Sequence, residues 1–232
     1  AFAWYRLKEY TKHIDAYFVL THFQKEKLNS IIPADKLWLK PNCVLVPSTP
    51  PCETKKDYLF VGRLEAAKGI DFLLETWQSL PKDFCLKIIG SGENEAQLRK
   101  KYGRDNVQFL GKLTHDEVLT HMSAAKYFIH ASLTYETFGL TLMEALSVGT
   151  PVIAMDIGPR KEFVQTGVNG FCCAKEDMAK TIMMAHQYAE YPALSKQAAL
   201  SAKPFYMDNI ITKQVSYYQK LISQEVHHAS TA

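Results

Sequence analysis

From Asp57 onward the chain alternates short apolar runs with amphipathic stretches, and few architectures accommodate that rhythm. The runs D-Y-L-F-V-G (57–62), F-C-L-K-I-I-G (84–90), N-V-Q-F-L (106–110), Y-F-I-H (127–130), P-V-I-A (151–154) and F-C-C (171–173) read as strands. Helical stretches fall near 69–80, 93–102, 115–125, 139–148, 159–166 and 176–189. Strand and helix in strict turn predict an α/β fold, a Rossmann-like parallel sheet flanked by helices on both faces. Ligands of such sheets bind outside the carboxyl ends of the strands. The loops after the runs are therefore where chemistry is expected.

The flanking segments break the rhythm. Ala3, Leu7, Tyr10 and Ile14 recur at near-helical spacing from the first residue, so the chain is expected to start inside a helix, as a piece of a longer protein would. No signal-peptide pattern precedes it. A-Y-F-V-L (16–20) reads as a short buried strand, and Thr21 with Gln24 fits a capping box opening a helix to about Leu28. The stretch Ile31 to Pro51 holds prolines 33, 41, 47, 50 and 51 and reads as a linker. After Pro204, residues 208–224 set Ile211, Val215, Tyr218 and Ile222 on one stripe, an amphipathic helix that packs away from the sheet. His227-His228 falls in a polar tail read as frayed.

Composition removes several classes. The balance of 27 basic to 24 acidic residues, net +3, is too small to argue for nucleic acid. No apolar run approaches the roughly 20 residues of a membrane span. The eight histidines are scattered. Cys43, Cys52, Cys85, Cys172 and Cys173 are odd in number and lack C-x-x-C spacing, which suits buried free thiols in a reducing, cytoplasmic setting.

Three loops carry candidate chemistry. In V-G-R-L-E-A-A-K-G-I-D (61–71), Gly62 permits a tight turn, and Arg63 and Lys68 set two cations beside a helix start, a combination suited to a pyrophosphate. A surface pair solvating a loop is the alternative. In I-I-G-S-G-E-N-E (88–95), Gly90 and Gly92 begin a dinucleotide fingerprint, but Glu95 holds the third glycine position. Glu93 and Glu95, placed in the first helical turn, would repel a phosphate, so this loop reads as a tight turn beside a nucleotide. In Y-E-T-F-G-L-T-L-M-E-A-L (135–146), Gly139 allows close approach to the backbone, and no acid occupies the first turn of the helix that follows. Glu144 lies on an otherwise apolar helix and needs a partner, which ribose hydroxyls would supply. Phe138 and Leu142 read as core.

These segments resemble, in order, the C-terminal half of a large family of retaining glycosyltransferases with the GT-B fold, which take a sugar from a nucleotide diphosphate sugar. The resemblance rests on F-V-G-R-L-x-x-x-K-G-I, I-I-G-S-G, F-L-G, E-T-F-G-L-T-L-M-E-A-L, G-T-P-V-I-A and G-P-R-K-E-F-V-x-x-G-V-N-G-F, from about 58 to 173. It implies that Arg63 and Lys68 neutralise the diphosphate and that Glu136 binds donor-sugar hydroxyls. It implies that Phe138, Gly139 and Leu140 offer backbone contacts, that Glu144 holds the ribose, and that Leu113 lies near the base, with Gly62 and Gly90 lining the site. No metal or other cofactor is implied, and no D-x-D occurs among the ten aspartates.

The same resemblance divides the chain. Residues 1–50 would be a remnant of an N-terminal domain and the interdomain linker, 51–203 the donor-binding domain, and 204–232 a crossover helix and tail. The N-terminal domain with its acceptor site would be largely missing, so the chain alone is expected to bind donor weakly and transfer nothing. The implied partners are a UDP-sugar or GDP-mannose donor and a saccharide or lipid-linked acceptor of cell-surface polysaccharide or glycolipid synthesis. Trp4, Tyr5, Arg6 and Lys8 could touch the inner face of a membrane, though core packing is the stronger reading. A non-catalytic nucleotide-sugar-binding module and a nucleotide-sugar epimerase of the same fold are the rival readings.

Overall fold

A computed structural model describes residues 11, 13–48, 52 and 55–229, with side chains through residue 223. The helix expected over residues 1–10 and prolines 50 and 51 lie outside them. The described residues form two compact units: Val46–Lys203, and the residues up to Leu45 together with those from Pro204 onward.

The smaller unit pairs β1 (Tyr17–Val19) in parallel with β2 (Leu37–Leu39), joined through α1 (His22–Leu28). Strand β2 falls inside the stretch read as linker, because the flanking prolines 33 and 41 outweigh three strand-forming residues, L-W-L, in a reading by composition. The cap of α1 forms with one exchange. Thr21 Oγ1 accepts from Gln24 N at 3.1 Å, but Gln24 Oε1 takes Leu20 N at 2.8 Å instead of the Thr21 amide.

In the larger unit the chain runs β3 (Lys56–Val61), α2 (Ile70–Gln78), β4 (Leu86–Ile89), α3 (Glu95–Tyr102), β5 (Val107–Gly111), α4 (His115–Ala124) and β6 (Ala125–His130). It continues through α5 (Leu140–Ser147), β7 (Val152–Met155), α6 (Arg160–Phe163), β8 (Gly170–Cys173), α7 (Met178–His186) and α8 (Tyr191–Ala202). All six strands lie parallel in the order β5-β4-β3-β6-β7-β8. Residues 127–129 of β6 and the whole of β7 are buried, as strands covered on both faces must be.

Three details differ from the sequence reading. Helix α3 begins at Glu95, so Glu93 lies in the preceding turn and only Glu95 meets the helix dipole, paired with Arg99 at 2.7 Å. Helix α8 has no preceding strand, so a template of alternation passes over it. Its alanine-rich sequence still favours helix, and Leu194, Ala198 and Ala202 are buried. The five cysteines are half-buried rather than sealed in the core.

Helix α9 (Met207–Ala229) belongs to the smaller unit and runs past the 224 read as its end, through the tail read as frayed. The stripe Ile211, Val215, Tyr218 and Ile222 is exposed, with Tyr218 edge-on to the Phe18 ring at 5.9 Å. The helix is turned so that Ile210 is buried and Tyr217 packs against Trp38 at 5.0 Å and Phe18 at 5.8 Å, its hydroxyl donating to Leu39 O at 2.9 Å. A tyrosine that packs on two rings and also satisfies a carbonyl outweighs the aliphatic stripe.

The strand order has one consequence for function. The chain builds outward from β3 to β5, then returns to lay β6 on the other side of β3. The loops after β3 and β6 therefore diverge and leave a crevice, the topological switch point. Its walls are zipped backbone to backbone. Gly62 N donates to Ile89 O at 3.0 Å, Leu64 N to Ser91 O at 2.9 Å and Gly90 N to Gly111 O at 2.8 Å. A Cβ on Gly90, at φ +140°, would sit 1.8 Å from Gly62 O. The glycines of I-I-G-S-G thus serve close approach of two backbones. Gly69 does the same across the crevice: at φ +72°, its Cβ would lie 1.9 Å from Ala131 O.

Gly69→Ala must both strain φ and push β6 away from the turn that carries Lys68. Urea unfolding should show a loss of about 2–4 kcal/mol. A loss within about 0.5 kcal/mol would mean that the approach is relaxed at little cost.

Candidate functional site

Lys68 ends the 3-10 turn Ala66–Lys68 after β3, and Glu136 lies in the loop between β6 and α5. That loop is stitched to the turn: Ser132 Oγ donates to Ala67 O at 3.1 Å and Leu133 N to the same oxygen at 3.0 Å. The stitch brings Lys68 Nζ to 2.7 Å from Glu136 Oε1. From the far side, the buried Arg160 guanidinium donates to Thr134 O at 2.9 Å and Met155 O at 3.2 Å, tying the loop to the end of β7.

His130, the last residue of β6, is 5% exposed and brings Nε2 to 3.5 Å from Glu136 Oε2. Burial alone would raise the Glu136 carboxyl, but the His130 imidazole and the Lys68 ammonium outweigh it and hold the group well below the usual carboxylate range. Burial lowers His130 in turn, so its ring is neutral while Glu136 is ionised. Burial also lowers Arg160, against the pull of Glu136. Lys68, Glu136 and His130 line a cavity of about 60 Å³ together with Gly62, Ser132 and Thr141.

Helix α5 starts behind this cluster. Its N-cap is Gly139 in the left-handed region, no side chain caps its first N–H groups, and its first turn holds no acid. Open amides at a helix start favour an anion. The Phe138 side chain is buried against Phe163 at 4.9 Å, so only its backbone is left for a ligand, whereas Leu140 is exposed. Glu144, farther along α5, meets a protein partner that the sequence reading did not supply. His115 Nε2 lies 3.1 Å from Glu144 Oε1, at the start of α4, where Thr114 and Glu117 form a capping box.

A second cavity, of about 390 Å³, opens on the other side of Gly62. Arg63, Gly90, Ser91, Lys112, Leu113 and Val118 contribute to its lining. The two expected cations thus part company: Lys68 lies in the small cavity, and Arg63 lies at the large one. Arg63 pairs with Glu65 at 3.0 Å, but its side chain is 74% exposed, so solvent leaves the ion pair weak and the guanidinium available. Gly62 borders both cavities.

His130, His115, Arg160 and Lys112 were not singled out from the sequence. For His130 a signal existed, a histidine closing an otherwise apolar strand at its carboxyl end. For the others the signal is tertiary. Among the described residues no cluster of three or more His, Cys, Asp or Glu side chains could hold a metal, and no helix is long and apolar enough to cross a membrane.

A sequence model of the family described as glycosyl transferases group 1 matches residues 46–193. An uncharacterized glycosyltransferase of Haemophilus influenzae is 31% identical over 200 residues, covering 81% of this chain and 55% of that protein. A glycogen synthase of Mycobacterium tuberculosis is 32% identical over 164 residues, covering 68% of this chain and 38% of the synthase. The chain thus spans about half or less of the curated relatives it matches. Among solved structures, the pneumococcal O-GlcNAc transferase in complex with UDP and GlcNAc superposes with a TM-score of 0.77 at 23% identity, over 94% of this chain and 47% of that one. At that identity the likeness shows a shared fold.

The coupling at Glu136 fixes the sign of a pH effect. Its folded pKa lies below the unfolded value, so the stabilisation is complete above the ordinary carboxylate range near about 4.3 and fades as pH falls below it. His130, kept neutral by burial, acts in the same direction once pH drops below about 6.5, where the unfolded chain takes up the proton. Glu136→Gln should therefore cost about 1–3 kcal/mol at neutral pH, with the gap to wild type closing in acid. Urea midpoints as a function of pH measure this, and parallel acid limbs would contradict the coupling.

Proposed function

The chain belongs to the glycosyl transferases group 1 family, and on that premise we propose that it is the donor-binding part of a retaining hexosyltransferase. The donor is a nucleotide diphosphate sugar, a UDP-sugar or GDP-mannose, and the acceptor a saccharide or lipid-linked group of cell-surface polysaccharide or glycolipid synthesis. The observation that carries the reading is the ionised Glu136, held by Lys68 in the crevice between β3 and β6, beside the uncapped start of α5.

Each part has a task in that reading. The base occupies the large cavity near Leu113, and the ribose reaches beyond its lining to Glu144, where a ribose hydroxyl displaces or joins His115. The diphosphate crosses Gly62 toward the amides at Gly139 and Leu140, met by Arg63 and Lys68. Fixed cations and oriented amides then stabilise the charge that grows on the departing diphosphate. Glu136 accepts hydroxyls of the sugar. The relative solved with UDP and GlcNAc supports a nucleotide-sugar ligand for this fold. No residue in this reading calls for a metal or other cofactor. The domain reading is retained as part of the proposal: a donor-binding domain over about 51–203, flanked by elements of a second domain, acting at the cytoplasmic side of a membrane.

Calorimetric titration with UDP, GDP and ADP tests the reading. One nucleotide should bind. Glu144→Ala should weaken it by about tenfold, and Glu136→Ala by less, since ribose is common to every ligand and sugar is absent from free nucleotides. Equal losses would remove the ribose assignment, and silence toward all three at millimolar concentration would favour a module without donor binding. Incubating the chain with labelled donors and candidate acceptors should give no transfer, and robust transfer would refute the half-site reading.

A further inference from the structure

We propose that His130 is a positioning residue for Glu136, through which the site recognises the sugar half of its ligand. The inference rests on the reading of Glu136 as the sugar-binding carboxylate.

Three observations carry it. The first is the division of labour on the carboxylate. Lys68 Nζ approaches Oε1 at 2.7 Å, and His130 Nε2 approaches Oε2 at 3.5 Å. A lysine alone, on four flexible methylenes, fixes one oxygen and leaves the carboxylate free to rotate. A second donor facing the other oxygen restrains that rotation. Each carboxylate oxygen keeps acceptor capacity after one contact, so both still serve ligand hydroxyls. The His130 contact is the longer of the two.

The second observation is placement. Both side chains border the cavity of about 60 Å³. A Cβ built on Gly139 would lie 3.9 Å from both Glu136 Oε2 and His130 Nε2. The pair therefore lies against the start of α5, where the anion is expected. The charged groups around the ring are Glu136, Lys68 and Arg160, and with two cations already beside it, a neutral imidazole avoids adding a third.

The third observation separates this role from plain packing. His130 Nδ1 is buried and has no hydrogen-bond partner among the described residues. The three residues before it, Tyr127, Phe128 and Ile129, are core side chains with at most 1% exposure. A leucine at position 130 would continue that core without burying an idle nitrogen, so packing alone disfavours histidine there. What histidine offers and leucine does not is the Nε2–H beside Glu136. A site that gives up stability for a placed donor is the expected pattern of a functional position.

The test uses the full 232-residue chain and the variants His130→Leu, His130→Gln and Glu136→Gln. Each is titrated with UDP and UDP-glucose, GDP and GDP-mannose, and ADP and ADP-glucose, and melted. The readout is the ratio of nucleotide to nucleotide-sugar dissociation constants for the pair that the wild type binds. His130→Leu should stay folded and melt close to the wild-type temperature, the idle Nδ1 removed offsetting the lost contact to Glu136, bind free nucleotide within about twofold of wild type, and weaken nucleotide-sugar binding by about tenfold. His130→Gln, whose amide can donate in place of Nε2–H, should recover most of that loss. An unchanged ratio in His130→Leu alongside a shifted one in Glu136→Gln overturns this inference and leaves the role of Glu136 standing. An unchanged ratio in Glu136→Gln, or no binding by the wild type, overturns the reading of Glu136 and this inference with it. A lower melting temperature in His130→Leu with equal loss of both ligands marks a structural histidine and overturns it too, as does a Gln variant no better than Leu.

Discussion

The ion pair between Lys68 and Glu136 bridges the two loops that diverge at the switch point of the sheet. Its partners are 68 positions apart in the chain and come together only because β6 lies beside β3. Everything around the pair serves to keep it there. Gly69 lets the turn close onto Ala131, Ser132 and Leu133 share the Ala67 carbonyl, and Arg160 holds Thr134 from behind. A partly buried pair of charges gives little net stability, because desolvation cancels much of the attraction. So much scaffolding around so modest a gain is better explained by what the pair presents to the crevice than by what it adds to the fold.

The charges of the crevice do not cancel. The charges of Lys68 and Glu136 offset one another, and His130 is neutral, but Arg160 is buried with carbonyls as its hydrogen-bond acceptors, and Arg63 is only weakly engaged by Glu65. The crevice therefore carries surplus positive charge beside the uncapped amides of α5. Part of that charge is immobile. A guanidinium bonded to two carbonyls of the scaffold needs no reorganisation when an anion arrives, and fixed dipoles and charges of this kind are the effective ones in an enzyme site. In the proposed reading Arg160 supports a diphosphate from behind while Lys68 and Arg63 meet it directly.

The architecture was legible in the sequence because it follows from local repetition. Six apolar runs, each followed by a helical stretch, leave little choice but a parallel sheet, and the site loops had to lie at their carboxyl ends. What escaped was tertiary or masked by composition. Prolines 33 and 41 hid β2, and α8 fell outside the alternating pattern. The stripe on α9 is amphipathic, but the aromatic contacts of Tyr217 turn the helix away from it. At the site, Arg63, Lys68, Glu136 and Glu144 stand out as charges in loops or on an apolar helix. The sequence could not show that Lys68 binds Glu136 while Arg63 faces another cavity, because that depends on the path of the backbone after Gly62. Nor could it show His115 against Glu144, which joins two helices 29 positions apart.

The two cavities differ in scale, and in the proposed reading that difference divides the ligand between them. At about 390 Å³ the larger falls within the range of pockets that enclose small ligands, and a nucleoside would fit its scale. The smaller, at about 60 Å³, is the more confined of the two. In the proposed reading Glu136 and His130, both lining it, grip one edge of the sugar. In that reading the anomeric carbon lies at the rim of this wall, where water must be excluded for transfer to prevail over hydrolysis. Productive transfer in the proposed reading thus requires a second wall that closes over the sugar, excludes solvent and presents the acceptor. The rigid clamp on Glu136 fits that division: this wall supplies a fixed point of reference for the sugar, and closure supplies the rest.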